Sequence, residues 1–364
     1  MQLKEIILAL NELAPPSLQE DYDNSGLITG HAEMNVTGAL LSLDCTEAVV
    51  NEAIQLGLNL IIAHHPIIFR GLKSITGRNY VERTVIKAIK HDVAIYAIHT
   101  NLDNVRQGVN AAIAGRLGLQ DLRILAPLKG KWSKLAVFVP HANAEAVRNA
   151  MFEAGAGHVG QYDACSFNTE GTGTFRAGQG THPHVGDIGK LHSEAETRIE
   201  VVVPEWKLSA VTRAMMATHP YEEVAYDVFG LRNENASIGS GMLGLLPAPV
   251  DPVDFLEMVK EKFNVKVIRH TALCKPAIQS VALCGGSGSF LLPAAIGAGA
   301  DVFISADFKY HEFFDADNQI IIADIGHFES EQFTPSLIAD WLRGKFNTFA
   351  THLSTVVTNP VHYL

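Results

Sequence analysis

Histidines and acidic side chains follow three apolar segments of the chain, and their types suit divalent metal ions. In chain order they are His64 and His65, then His99 and Asp103, then His327 and Glu331. Imidazole nitrogens combined with carboxylate oxygens form the mixed ligand set that zinc, iron and manganese accept in proteins. The sequence therefore predicts a metal centre. The alternative is that each histidine is structural and bonds a backbone carbonyl.

The number of ligands predicts two divalent ions rather than one. The five predicted ligands are His64, His65, Asp103, His327 and Glu331. A single catalytic zinc usually takes three protein ligands, whereas five ligands can serve two ions when a carboxylate bridges them. Glu331 or Asp103 is the expected bridge, because a carboxylate has two oxygens and imidazole has one free lone pair. A water between the ions would be deprotonated near neutral pH, so the predicted chemistry is hydrolysis.

Local spacing supports this ligand set. His327 and Glu331 are four residues apart, so a helical turn places both side chains on one face. Pro335 would remove the hydrogen bond to the Glu331 carbonyl, so this helix is expected to be short, or to kink before a second helix that begins near Thr334. Adjacent strand residues face opposite ways, so His64 and its neighbour can share a site only where the chain leaves the strand.

Three further polar residues are predicted to assist the ligands. His99 is a candidate for proton transfer and, with Glu331, makes up the predicted catalytic residues. Asp307 and Asp324 are predicted to orient ligand histidines by accepting a hydrogen bond from the second ring nitrogen. For each of the three, a purely structural role is the alternative.

Six short apolar runs predict buried parallel strands, at 38–44, 58–64, 93–99, 280–286, 301–307 and 319–324. They lack polar alternation, which is typical of strands covered by helices on both faces of a sheet. Helical patterns lie between them, for example over 46–57, where Thr46 is the candidate N-cap. The alternation indicates an α/β fold, in which functional groups gather beyond the carboxyl ends of strands.

The strands fall into two groups of three, which predicts two related α/β halves at 1–128 and 233–364 that flank a metal cleft. Similar crossover lengths in any α/β fold are the alternative explanation. Residues 129–232 are predicted to be an inserted domain of ferredoxin-like βαββαβ order. Its predicted elements are strand 133–140, helix 143–155, strand 158–167, a Gly-rich loop 171–189, strand 198–204, helix 206–217 and strand 222–229.

Composition excludes several classes of protein. The formal net charge of −11 disfavours binding to nucleic acid, because an acidic surface repels phosphates. No apolar run approaches the roughly 18 residues of a membrane span, and Glu5 and Glu12 interrupt the N-terminal helix pattern, so no signal peptide is predicted. A cytoplasmic protein with a small-molecule substrate is expected, and its four scattered cysteines are expected to be free.

The run GGSGSF (285–290) is interpreted as a tight turn rather than a phosphate cradle.

The motifs HHP, YAIHTNLD and DIGHFESE, in this order at strand ends, resemble the NIF-three-like family, whose members are widely named homologues of GTP cyclohydrolase I type 2. The run HPYEEVAYDV (219–228) is similar to the PII/CutA-like insert of the long bacterial members. The resemblance implies two metals on the five ligands named above. It also implies two α/β halves across a metal-bearing cleft and a toroidal homohexamer. The cyclohydrolase name is compatible with a metal-activated water.

Two functions remain open from the sequence. The first is a metal-dependent hydrolase acting on a nucleotide-like or other small substrate. The second is a metal-binding regulatory or chaperone-like module whose insert senses a ligand. They differ because a hydrolase needs an open coordination position and room for a substrate. A third interpretation, a DNA-associated factor, is disfavoured by the net charge.

Overall fold

A computed structural model describes residues 1–364, which contain helices and strands in mixed order. The helices are α1 Leu3–Leu13, α2 Glu47–Gln55, α3 Tyr80–Lys90, α4 Thr100–Asp103, α5 Val109–Leu117, α6 Ala144–Glu153, α7 Leu208–Thr218, α8 Pro252–Phe263, α9 Leu292–Gly297, α10 His327–Glu331 and α11 Thr334–Lys345. The strands are β1 Gly26–Thr29, β2 Ala39–Ser42, β3 Leu60–Ala63, β4 Ala94–Ala97, β5 Gln120–Lys129, β6 Trp132–Pro140, β7 Ser166–Arg176, β8 Leu191–Pro204, β9 Tyr226–Leu231, β10 Glu234–Val250, β11 Arg269–His270, β12 Ile278–Ser287, β13 Val302–Ala306, β14 Ile321–Asp324 and β15 Thr351–Leu353. Short 3₁₀ segments cover Pro16–Leu18, His141–Asn143, Glu205–Lys207, Ser289–Leu291 and Tyr310–Ala316.

The chain divides into two compact units, Met1–Pro127 with Ala236–Leu364, and Leu128–Asn235. The first unit has one sheet of order β1-β4-β3-β2-β15 and another of order β11-β14-β13-β12-β10-β5. Strands β2, β3 and β4 are parallel neighbours, and so are β12, β13 and β14. These are the six strands predicted from apolar runs, and each is confirmed. Their carboxyl ends place the predicted ligands beyond the sheet edge.

Burial explains why these strands lack polar alternation. Every residue of β3 and of β14 is buried, so both faces of each strand are covered. The helix predicted over 46–57 is present as α2, and the Thr46 hydroxyl accepts its N-terminal hydrogen bond from the Val49 amide at 3.4 Å. No helix is both long enough and apolar enough to span a membrane. All four cysteines are free, as expected; two are buried and two are half-buried.

The second unit holds a four-stranded sheet of order β7-β8-β6-β9, in which every neighbouring pair is antiparallel. Helices α6 and α7 contribute Val147, Met151, Val211 and Met215 to the core beneath it. The predicted boundaries of the strand at 158–167 and of the loop at 171–189 were wrong, although a loop does cover 177–190. The strand runs over Ser166–Arg176, through the glycines, and pairs with a longer β8. Glycine is tolerated there because it leaves room for a cross-strand carboxylate, which the sequence does not reveal.

The loop before α3 depends on one buried acid, which makes its stability sensitive to pH. Glu82 accepts hydrogen bonds from the Thr76 amide (2.8 Å) and the Arg78 amide (3.1 Å). These bonds lower the pKa of Glu82 from its ordinary value to about 2. Because the folded-state pKa is depressed, the stabilisation is present above the ordinary carboxyl pKa and is lost as pH falls toward 2.

We expect Glu82→Gln to lower the urea midpoint of unfolding at pH 7, with the deficit shrinking as the pH falls from 4.5 toward 2. The exposed Glu261, changed to Gln, is the matched control and should leave the midpoint unchanged at both ends of this range. A deficit that stayed constant with pH would show that the Glu82 charge is not what holds the loop.

Candidate metal centre

The structure brings all five predicted ligands together within the first unit. The strand β3 ends at Ala63, directly before His64 and His65. Asp103 ends the short helix α4 that follows β4, and His327 and Glu331 lie in the five-residue helix α10. The second helix begins at Thr334, as the proline predicted. The distance between His65 Nε2 and Glu331 Oε2 is only 3.0 Å, although 266 residues separate them.

Each ligand histidine has an oxygen against its Nδ1 atom. The partner of His64 is the Ile98 carbonyl at 2.8 Å. The partner of His65 is the Asp44 carboxylate at 2.8 Å. The partner of His327 is the Asp307 carboxylate at 2.7 Å. Since these oxygens are acceptors, each Nδ1 donates, and each Nε2 is directed into the centre as a potential ligand atom.

The two oxygens of Glu331 face different histidines. Oε1 lies 3.8 Å from His64 Nε2, whereas Oε2 lies 3.0 Å from His65 Nε2 and 3.1 Å from His327 Nε2. Glu331 therefore belongs to two groups of side chains that could each hold a metal ion, one with His64 and Asp103 and the other with His65 and His327. A buried carboxylate shared in this way can bridge two cations.

Two buried atoms of this cluster have no hydrogen-bond partner. They are His64 Nε2 and Asp103 Oδ1, which lie 3.7 Å apart. Leaving a buried polar group without a hydrogen bond costs about 1–3 kcal/mol. Two such atoms next to each other therefore indicate that a group absent from the protein chain binds between them. Burial and the charge of Glu331 raise the pKa of Asp103 to about 7. A divalent cation would satisfy both atoms and relieve the repulsion, so the residues present fit a metal ion.

Protons compete with a cation for the same positions. Burial alone would lower the pKa of His65, but the bonds to Asp44 and Glu331 raise it to about 9. Burial would likewise lower the pKa of His327, but its hydrogen bonds to Asp307 and Glu331 raise that pKa to about 11. Metal binding is therefore expected to release protons and to weaken at low pH.

The glycines of the GGSGSF run make room for Glu331. A Cβ at Gly286, whose φ is +62°, would overlap Glu331 Oε1. The Gly286 amide donates to Ser330 Oγ at 3.0 Å, and the Gly285 amide donates to Asn110 Oδ1 at 2.9 Å. Both amides are used within the protein and are not free to hold a phosphate; residues 285–287 end β12, and a 3₁₀ segment begins at Ser289.

We expect Gly286→Ala to weaken metal binding about 10–100-fold, because the added methyl group displaces the carboxylate of Glu331. Isothermal titration with Mn²⁺ or Zn²⁺ measures this. Gly297→Ala is the matched control, because nothing lies within 4 Å of a Cβ there. Equal affinity of both variants for the metal would contradict the role assigned to Gly286.

The predicted supporting residues have mixed outcomes. Asp307 bonds His327 as predicted. The prediction for Asp324 was wrong, because its carboxylate accepts from Arg269 and from the Phe308 and Gly326 amides instead. Asp324 therefore fixes the turn that precedes His327 and forms no hydrogen bond with a histidine.

Two acids behind the histidines were missed from the sequence. Asp44 holds His65 and itself accepts a hydrogen bond from Thr358 Oγ1 at 2.5 Å. Asp23 lies 2.8 Å from His99 Nδ1. The position of Asp44 at the end of the first predicted strand was a usable signal. Asp23 lies in a loop, and nothing in its local pattern indicates a partner.

His99 lies beside the ligands without bonding any of them. Its ring centroid is 5.2 Å from that of His64 and 5.3 Å from that of His65. A cavity of 1040 Å³ borders the cluster, and its lining includes His65, His99, His327, Phe69, Tyr80 and Tyr363. Residues 358–361 of the C-terminal segment form part of its wall. The volume is that of a small-molecule site.

The architecture and the cluster together define a mixed α/β protein with candidate metal-binding groups. A model of the family Duf34/NIF3 (NGG1p interacting factor 3) matches residues 1–360, and the chain belongs to this family. The resemblance noted from the motifs is thereby confirmed.

Relatives and solved structures agree with this assignment. A protein of Halalkalibacterium halodurans named "GTP cyclohydrolase 1 type 2 homolog" is 42% identical over 324 residues, which cover 88% of this chain and 87% of that protein. The crystal structure of a Bacillus cereus protein related to NIF3 has 38% sequence identity and a TM-score of 0.87, covering 100% of this chain and 99% of that one. The Staphylococcus aureus protein SA1388 has 29% identity and a TM-score of 0.79, with coverage of 100% and 99%.

Proposed function

We propose that this protein is a metal-dependent hydrolase of a small substrate, with two divalent ions (zinc, iron or manganese) held by His64, His65, Asp103, His327 and Glu331. The observation that carries the proposal is the division of the two Glu331 oxygens between separate ligand groups. The orphaned atoms of His64 and Asp103 support the same conclusion.

Bound divalent ions would act as Lewis acids and lower the pKa of a water molecule for attack on the substrate. The chain supplies the remaining parts. Glu331 joins the two ligand groups, and Asp44 and Asp307 keep two ligand histidines in the required tautomer. His99, held by Asp23 and lining the cavity, is the residue placed to accept or give a proton at the substrate.

The cavity favours an enzyme over a closed structural metal site. Two of the proposed ligands, His65 and His327, line it, so a substrate can reach the centre. The rings of Phe69, Tyr80 and Tyr363 suit a flat, ring-bearing substrate. A nucleotide-like molecule fits this description and agrees with the cyclohydrolase name of the relatives.

The finer description of the fold belongs to the same proposal. We propose that 129–232 is an inserted ferredoxin-like domain of the PII/CutA-like type, between α/β halves at 1–128 and 233–364. The βαββαβ order and the sheet order β7-β8-β6-β9 support this.

We also propose a toroidal homohexamer, which light scattering after size exclusion would test. A mass of one subunit would exclude it.

A metal-binding regulatory module is the second candidate. The observation in its favour is a separate cavity inside the second unit, remote in sequence from the ligands. Such a module would bind metal without turnover.

The decisive experiment for the proposed hydrolase is a turnover screen. Protein loaded with Mn²⁺, Zn²⁺ or Fe²⁺ would be incubated with nucleoside triphosphates and a broad panel of small metabolites, beside Asp103→Ala. Hydrolysis that requires metal and is lost in Asp103→Ala supports the proposal. Stoichiometric metal binding with no turnover across the panel would favour the regulatory module.

A further inference from the structure

The second unit contains a cavity of 580 Å³ with no role in the proposed hydrolase. All its lining residues belong to the 128–235 unit. Its walls include the rings of Phe138, Phe175 and Tyr221, together with the side chain of Glu196. A cavity of this size with apolar walls and a few polar groups is typical of a small-molecule site.

The polar feature of this cavity is a buried carboxylate. Glu196 is 8% exposed, and it accepts one hydrogen bond, from Tyr221 Oη at 2.9 Å. Glu196 forms no ion pair with a basic side chain; the nearby Arg198 pairs with Glu200 at 2.9 Å, and its Nε atom is buried without a hydrogen-bond partner. A buried carboxylate without a cationic partner is costly. The site therefore presents a negative charge that a cation can neutralise.

Glycines on the neighbouring strand keep the space beside this carboxylate open. Gly171 lies opposite Glu196 in the strand register, and nothing lies within 4 Å of a Cβ built there. A Cβ at Gly173 would overlap Glu196 Oε2. Glycine weakens a strand and is common where a ligand approaches the backbone closely. The glycines therefore make this part of β7 less stable as a strand but leave space next to the Glu196 carboxylate.

The other charged side chains that line the cavity are mostly acidic, which favours a positively charged ligand. Glu170, Glu222 and Glu223 add to Glu196, whereas only Arg176 and Arg198 oppose them. A metal ion is not the expected occupant, because the groups of His, Cys, Asp and Glu side chains close enough to hold one all lie in the first unit. An organic cation can use the carboxylate and the aromatic walls together.

We propose that this cavity binds a small organic cation, with a protonated amine, amidine or guanidine paired to Glu196 and its apolar or aromatic body against the rings of Phe138, Phe175 and Tyr221. The pair would form in a buried setting, where charge-assisted hydrogen bonds are strong. This ligand site is independent of the metal centre, and its test does not require hydrolase activity.

The test uses benzamidine as the cationic probe, with benzamide as its neutral analogue and benzoate as its anionic analogue, on the full chain. We expect saturable one-to-one binding of benzamidine by calorimetry, at least tenfold tighter than binding of either analogue. Glu196→Gln is expected to weaken benzamidine binding at least tenfold. The matched control is Glu145→Gln, an exposed acid on α6 of the same unit, which should leave affinity unchanged.

Chemical-shift mapping keeps the test decisive if Glu196→Gln fails to fold. Shifts in wild-type protein confined to the cavity lining, at Phe138, 169–178, 181–184, Glu196, Arg198 and 221–225, support the site, and shifts elsewhere overturn it. Equal binding of benzamide, tighter binding of benzoate, or full affinity in folded Glu196→Gln also overturns it. So does the absence of saturable binding of benzamidine, benzylamine and agmatine up to about 10 mM, well above a millimolar Kd.

Discussion

Changing Glu331 to Gln is expected to abolish stable binding of the two proposed metal ions, with affinity falling more than about 100-fold. The reason is that one carboxylate serves both ligand groups, through Oε1 toward His64 and Oε2 toward His65 and His327. Loss of a supporting residue around a metal typically costs 10–100-fold, and loss of a shared ligand should cost more. Elemental analysis after dialysis against each metal gives the ions retained per chain.

The control for this change is Glu329→Gln, two residues away in the same short helix. Glu329 is also buried, but its carboxylate accepts from Asn359 Nδ2 at 3.0 Å and belongs to neither ligand group. This variant should retain the metal content of the wild type. If Glu331→Gln kept both ions at wild-type affinity, the shared-ligand arrangement would be wrong.

Changing Asp103 to Asn is expected to act in opposite directions on metal binding and on stability. Metal affinity should fall, because a charged ligand is lost from the group with His64. The metal-free protein should become more stable by about 1–3 kcal/mol at pH 8, because a buried charge next to Glu331 disappears. The pKa of Asp103, raised to about 7 by burial and by Glu331, gives the pH dependence.

The sign follows from the raised pKa of this carboxyl in the folded state. The protonated form stabilises the metal-free fold, and this contribution is lost as pH rises from about 4 through 7. Urea denaturation in the presence of a chelator, at pH 4 and at pH 8, should therefore show a gain for Asp103→Asn only at pH 8. A loss of stability at both pH values would mean that Asp103 is a structural residue and carries no electrostatic cost.

The convergence of the five proposed ligand residues was predictable because their signals are local. A double histidine at the end of an apolar run and a His–Glu pair at helical spacing each constrain the fold within a few residues. The six parallel strands were predictable for the same reason, since burial on both faces leaves a continuous apolar run. These features do not depend on distant partners.

The supporting contacts were not predictable, because they depend on segments far apart in the chain. Asp23 reaches His99 across 76 residues, and Thr358 reaches Asp44 across 314. Asp324 occupies the predicted position at its strand end, yet its partners are Arg269 and two turn amides. The local sequence pattern predicts that such a carboxylate lies near the site, but it does not predict which group forms a hydrogen bond with it.

The hairpin of the second unit shows the same limit in the backbone. The glycines of 171–173 have the composition of a loop, yet they are strand residues paired with β8, and Gly173 leaves room for the Glu196 carboxylate. That requirement appears only when two strands are paired. Secondary structure is therefore mispredicted from sequence where a glycine makes room for a side chain of the neighbouring strand and does not form a turn.

The most direct test of the metal centre is anomalous diffraction from crystals grown or soaked with Mn²⁺ or Zn²⁺. We expect two anomalous peaks per chain, one contacting His64 and Asp103, the other contacting His65 and His327, with Glu331 reaching both. A single peak, or none, at saturating metal would contradict the arrangement of Glu331 as a shared ligand between two ions.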